Sequence, residues 1–216
     1  MNNILMTESN KVMLNGKAKR ILFASIELIM SNLQANIDHL DKNFKYTQKF
    51  IDLVHNGLIN DRKFFLLASG RSAFILQCFA TRLVHLGAEV YIVTNLASMP
   101  ALTKEDILIV LSGSGTTNIV ISLLENYVNT VKPYGIVSIT SHPETIIGRS
   151  GDITIKLKGR TKRDKDPSQS DNALLTPEGT QFEIAAFVYL DAIIAELAVR
   201  LGKTNEDLLR KHSENV

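Results

Sequence analysis

The residues of this chain richest in usable chemistry are Ser112-Gly113-Ser114-Gly115-Thr116-Thr117, which join hydroxyls to backbone free of side chains. Ile107-Leu108-Ile109-Val110-Leu111 precedes them as a continuous apolar run, the pattern of a strand buried on both faces. Behind them Ile119, Val120, Leu123, Leu124, Tyr127, Val128 and Val131 recur at helical spacing. A small turn between a buried strand and an amphipathic helix presents the unpaired N–H groups of the helix start, which suit a phosphate. The same residues also fit a plainer role, a strand-to-helix connection closed by a Ser or Thr cap.

Other motifs of phosphate binding and nucleophilic catalysis do not fit. A Walker A loop needs Lys directly after its second Gly, where Thr116 stands. A dinucleotide fingerprint needs a third Gly at Asn118 and an acidic residue near the next strand end, and Gly135 to Ser138 supplies none. A hydrolase elbow with Ser114 as nucleophile needs Gly in place of Ser112.

The device occurs twice. Phe64-Phe65-Leu66-Leu67-Ala68 reads as a second buried strand, followed by Ser69-Gly70-Arg71-Ser72 and an apolar helix from about Ala73 to Leu86, stopped by Gly87. A strand at Val90-Tyr91-Ile92-Val93 lies between the two devices in sequence. In a doubly wound sheet ordered 2-1-3-4-5, strands one and three are neighbours at the topological switch point, so both Ser/Gly loops open into one crevice. Near the far end, Glu183 stands in the first turn of an otherwise apolar helix, Thr180 to Leu201. A carboxylate at the mouth of that crevice suits a general base. Thr180-Gln181-Phe182-Glu183 equally fits a capping box, in which Glu183 reaches back to a backbone N–H.

These groups need a scaffold, and the rest of the chain describes one. Residues 1–16 are polar and read as a flexible N-terminus, and residues 17–216 as a single α/β domain. Lys17 to about Leu40 and about Asn43 to Ile59 read as two long helices before the sheet. Tyr134 to Ile139 makes a fourth strand, Glu144 to Ile147 a short helix and Asp152 to Leu157 a fifth strand. Thr204 to about His212 reads as a last helix with a Thr-Asn-Glu start. Lys158 to Leu175 is charged and almost without apolar residues, either a solvated excursion or a basic flap that attracts an anionic substrate.

Composition narrows the partners. With 24 basic and 22 acidic residues the formal charge is +2, which points to neither nucleic acid nor a membrane surface. No run approaches the ~18 apolar residues of a membrane-spanning helix, and Met1 to Met6 has no signal-peptide pattern, so a cytoplasmic protein is expected. The single Cys78, inside an apolar helix, reads as a buried, inert thiol. No His/Cys/Asp cluster has metal-ligand spacing, so neither metal nor cofactor is expected.

The two Ser/Gly loops, the five-strand alternation and the terminal helices together resemble the sugar isomerase (SIS) domain, which binds phosphorylated sugars. More specific stretches resemble the 6-phospho-3-hexuloisomerase family of the ribulose monophosphate pathway. These are Ser69-Gly70-Arg71-Ser72, Phe79 to Gly87, Ile109 to Thr117 and Pro177-Glu178-Gly179-Thr180-Gln181-Phe182-Glu183, with later matches through Arg210-Lys211-His212. The resemblance implies that Ser112, Gly113, Ser114, Gly115, Thr116 and Thr117 cradle the substrate phosphate, and that Arg71 and Ser72 line the same pocket. It implies Glu183 as proton acceptor, and His85 as a histidine that reaches an active site across a subunit interface. His85 also fits a structural role in its apolar helix. The resemblance further implies a homotetramer, with the N-terminal helices as oligomer contacts.

The chemistry so implied is a ketose–ketose isomerisation between 3-hexulose 6-phosphate and fructose 6-phosphate through an enediolate. Glu178 departs from the family, which usually has Met or another apolar residue there, and the charged loop is longer than expected. The same loops suit an isomerase of another phosphosugar, such as arabinose 5-phosphate, or a module that senses phosphosugars without converting them. Against a regulator, the N-terminal segment forms long helices and not a compact basic helix-turn-helix.

Overall fold

Short apolar runs alternate along the chain with stretches at helical spacing, and the structure follows that rhythm. Three short strands, β1 (Met6–Thr7), β2 (Lys11–Leu14) and β3 (Lys17–Arg20), lead into helices α1 (Ile21–Lys42) and α2 (Phe44–Ile59). The main domain continues with β4 (Phe64–Ala68), α3 (Arg71–Leu86), β5 (Val90–Ile92), β6 (Ile107–Leu111), α4 (Asn118–Thr130), β7 (Gly135–Thr140), α5 (Ile146–Ser150) and β8 (Ile153–Lys156). Helices α6 (Thr180–Arg200) and α7 (Asn205–Glu214) close the chain. This computed structural model describes residues 6, 7, 11–14, 17–93, 99–159, 161, 164 and 175–214.

The main sheet has five parallel strands in the order β5-β4-β6-β7-β8, the doubly wound 2-1-3-4-5 arrangement. Helices cover both faces, so β4 and β6 are fully buried and need no polar alternation. Their side chains still alternate between two cores. Phe64, Leu66 and Ala68 face α2, α3 and α6, whereas Phe65 and Leu67 face α4 and α5. Phe64 and Phe65 are each 0% exposed; burying such side chains stabilises the fold by ~1.5–3 kcal/mol apiece.

Helix α3 buries Ala73, Leu76, Phe79, Ala80, Leu83 and Leu86 on one stripe. It ends at Gly87, where the Ala88 N–H returns to the Leu83 carbonyl at 3.0 Å. Cys78 lies off that stripe and is exposed, not buried as its apolar neighbours suggested. Apolar composition places a residue in a helix, but its angle about the axis decides its exposure.

The N-terminal segment differs more. Lys17–Arg20, expected as the first helical turn, pairs antiparallel with Lys11–Leu14 instead. These four residues have nothing apolar for a core-facing stripe beyond Ala18, and the helix begins at Ile21, where such a stripe starts. Buried Val12 then packs with Ala24 and Leu175. Further along, the short helix sits slightly later than expected, at Ile146–Ser150, because Thr145 accepts the Gly148 N–H as its N-cap. The last helix has a reciprocal capping box, Thr204 N–H to Asp207 Oδ2 at 2.9 Å and Asp207 N–H to Thr204 Oγ1 at 3.2 Å, in which Asp207 and not Glu206 takes part.

Candidate active site

β4 and β6 pair in register, Ala68 opposite Leu111, so the loops that follow them leave the sheet side by side at the switch point. The first loop turns at Ser69-Gly70 into α3. The second is an extension of the sheet, since the Ser112 N–H still reaches the Ile139 carbonyl at 3.0 Å. Ser112 and Ser114 are buried, with Ser112 Oγ 3.4 Å from Thr117 Oγ1 and the Thr116 hydroxyl donating to Ser114 Oγ at 3.3 Å. Neither α3 nor α4 has a side-chain cap or an acidic residue in its first turn. Two helix starts thus present N–H groups to the loops, the arrangement that receives an anion.

Two glycines make the geometry possible. At Gly113 a Cβ would lie 2.8 Å from the Phe182 ring, so only glycine lets the start of α6 press against the loop. Gly115 has φ +63°, and a Cβ there would meet Thr145 Oγ1 at 2.0 Å. The close approach of Phe182 carries the next residue, Glu183, to the same place.

The result is a cleft of about 350 Å³. Arg71, Ser72, Ser112, Gly113, Ser114, Thr117 and Glu183, expected to act together, all line it. Gly115 and Thr116 belong to the loop but are not among the residues lining the cleft; the Thr116 hydroxyl donates to Ser114. His85 is buried in the last turn of α3. At ~1.5 Å of rise per residue it stands roughly 20 Å along the helix from Arg71, out of reach of its own chain's cleft.

Glu183 is a carboxylate between two influences. Arg71 Nε lies 2.8 Å from its Oε2, while the side chain is 13% exposed against 62% for Arg71. That Oε2 is buried and accepts no hydrogen bond among the described residues, so the ion pair lacks an aligned N–H. Burial pushes the Glu183 carboxyl above the ordinary carboxylate range, and the Arg71 charge partly offsets this. The capping box at Thr180 does not form: the helix cap is Gly179, with no side-chain bond.

Thr161, Glu178 and Phe182 also line the cleft. Thr161 had no signal in the sequence, because it arrives from the start of the charged segment through tertiary contacts alone. Of that segment, Arg160, Lys162, Arg163 and residues 165–174 lie outside the described residues, so the flap expected there does too.

A doubly wound parallel sheet whose paired Ser/Gly loops meet two helix starts beside a largely buried carboxylate fits a class of proteins that bind a phosphorylated ligand. The chain belongs to the SIS domain family, whose model matches residues 57–165. Among its relatives, the 3-hexulose-6-phosphate isomerase of Methanocaldococcus jannaschii is 31% identical over 192 residues, 85% of this chain and 98% of that one. The enzyme of the same name from Bacillus subtilis is 30% identical over 163 residues, 75% of this chain and 84% of that one. Among solved structures, a hypothetical protein of Methanococcus jannaschii, for which a 3-hexulose-6-phosphate isomerase function was inferred, superposes with TM-score 0.69 at 28% identity. That match covers 87% of this chain and 96% of the other. Among the described residues, no helix is long and apolar enough to cross a membrane.

Proposed function

We propose that this chain is a phosphosugar isomerase that interconverts 3-hexulose 6-phosphate and fructose 6-phosphate, with Glu183 as general base. The observation that carries the reading is the Glu183 carboxylate, largely buried in a cleft that a Ser/Gly loop between helix starts also lines. The relatives named 3-hexulose-6-phosphate isomerase support the choice of sugar.

In the 3-ketose, the C3 carbonyl acidifies the hydrogen on C2. Glu183 takes that proton, and the electron pair moves into a C2–C3 enediolate. Return of the proton to C3, with transfer of a proton from the C2 oxygen to the C3 oxygen, leaves the carbonyl at C2. The loop at Ser112 to Thr117, with Ser72, holds the remote phosphate, so binding energy places the reacting carbons against the carboxylate. Arg71 serves the substrate's negative charge, and its exposed side chain is free to turn from Glu183 towards it. Neither a metal nor a redox cofactor enters these steps.

The same reading makes the protein a cytoplasmic homo-oligomer of the ribulose monophosphate pathway, a tetramer by the family resemblance. Leu22, Phe23, Ile26, Met30 and Ile37 form an exposed apolar stripe on α1, and Phe74 and Phe187 are exposed beside the cleft, which supports self-association. His85 would then act, as the resemblance implies, in a neighbouring subunit's site.

The test is carbon-13 NMR of fructose 6-phosphate with the purified protein in deuterated water. A 3-ketose signal is expected, with deuterium at C2 of the 3-ketose and C3 of fructose 6-phosphate. Both should vanish in Glu183→Gln. Binding of the sugar phosphate with no exchange would instead fit a phosphosugar sensor, and conversion of arabinose 5-phosphate alone would move the enzyme to another substrate.

A further inference from the structure

His142 stands two residues past the end of β7. Its ring bridges separate parts of the chain. Nε2 is 3.0 Å from Thr161 Oγ1 and 3.5 Å from Asp164 Oδ2, and Nδ1 is 3.4 Å from Glu144 Oε1. Asp164 Oδ2 in turn accepts both the Thr161 backbone N–H at 2.7 Å and the Thr161 hydroxyl at 3.0 Å. While the Thr161 hydroxyl donates to Asp164, the tautomer of His142 that carries hydrogen on Nε2 donates to Thr161 Oγ1. One side chain of the cleft wall is thus held between an imidazole nitrogen on one side and a carboxylate on the other.

The neighbours of His142 also fasten the phosphate loop. The Ser141 N–H and the Thr140 hydroxyl both donate to the Gly113 carbonyl, at 3.2 and 3.3 Å, and the His142 N–H donates to Thr140 Oγ1 at 3.1 Å. The Ser141 hydroxyl donates to the Gly159 carbonyl at 3.1 Å, tying the approach to Thr161 to the same short segment. Residues 140–142 thus set the distance between the phosphate loop at Gly113 and the wall at Thr161.

We propose that His142 is a positioning residue of the sugar-phosphate site, acting through Thr161 to place the wall that contacts the sugar portion of the ligand. The ligand class rests on the function proposed above. The phosphate is taken by the Ser112 to Thr117 loop, which keeps its own hydrogen bonds when the imidazole is removed. The sugar hydroxyls are read at Thr161, whose orientation depends on His142 and Asp164. Recognition of the sugar and recognition of the phosphate are then separable by substitution. A buried hydrogen-bonding wall of this kind discriminates strongly among sugars that differ in a hydroxyl.

The test is calorimetric titration of fructose 6-phosphate and of inorganic phosphate into the full chain and its His142→Ala, Thr161→Val, double and His142→Gln forms, each checked for a wild-type circular dichroism spectrum. Each single substitution should weaken fructose 6-phosphate about tenfold or more and leave inorganic phosphate within twofold. The double form should be no worse than the weaker single, because both changes remove one interaction. His142→Gln, which restores an N–H near the place of Nε2, should recover most of the affinity. Unchanged sugar-phosphate affinity, an equal loss for inorganic phosphate, or additive losses in the double form would each overturn the proposal. So would a wild type that binds fructose 6-phosphate no better than inorganic phosphate. The readout is binding, so it remains decisive for a chain that shows no turnover, a result that would count against the isomerase alone.

Discussion

Arg71 Nε stands 2.8 Å from Glu183 Oε2, yet among the described residues that oxygen receives no aligned hydrogen bond. Arg71 opens α3 at the cleft and Glu183 lies in the first turn of α6, so the pair spans the two helices that flank the proposed reaction site. The contact supplies charge without the geometry of a settled salt bridge. It leaves the carboxylate able to accept a proton and the guanidinium able to turn towards an arriving anion.

If Glu183 is the base, Glu183→Gln should lower turnover by about 10²–10⁴-fold, the range of a lost general base. Fructose 6-phosphate affinity should change by no more than about threefold, since the amide keeps the shape of the carboxylate. Steady-state rates and calorimetry on the same preparation check both. Full activity in the variant would remove Glu183 from the mechanism.

The pH profile follows from the same pair. The base must be ionised, so activity rises with pH through the carboxyl pKa, which burial has raised. Arg71 lowers that pKa, so Arg71→Gln should move the acid limb of the single-turnover rate to still higher pH. A limb that moved downward would mean that Arg71 does not act on Glu183.

Stability carries a linked signature. A carboxyl raised in the folded state adds stability that is complete below its unfolded pKa and is lost as pH rises through its folded pKa. Above its folded pKa the ionised Glu183 therefore weakens the fold, and there Glu183→Gln should melt above wild type. The difference should shrink on acidification and vanish below pH ~4, the unfolded carboxylate range. Thermal melts across that window test the sign.

Gly113→Ala probes how the loop positions the base. Its Cβ would press on the Phe182 ring, 2.8 Å away, and such overpacking costs ~1–3 kcal/mol. The variant should lose activity out of proportion to its stability, because Phe182 displaces Glu183 with it. Adding Phe182→Leu should restore part of the stability in chemical denaturation.

The exposed α1 stripe predicts assembly. Phe23→Glu with Met30→Glu should shift the protein to a smaller species in light scattering after size-exclusion chromatography, since both side chains are exposed, at 53% and 62%. An unchanged mass would place the subunit contacts elsewhere.

Much of the architecture could be read from residue order alone. Five short apolar runs separated by helical spacing, with Ser/Gly turns after the first and third, specify a doubly wound sheet and bring both turns to one switch point. Periodicity and turn chemistry are local, so they survive without any knowledge of packing. Local rules could not choose between a capping box and a cleft carboxylate for Glu183, because both begin with the same four residues. The choice was made by Phe182 fitting the space left at Gly113, and by Arg71 approaching from a helix more than a hundred residues earlier in the chain. Cys78 and the strand at Lys17–Arg20 turned on a helix angle and on a pairing partner, and Thr161 reached the cleft through His142 and Asp164. Burial, register and contacts between distant segments are properties of the assembled chain: each depends on where other elements lie, and no short window of sequence contains that information.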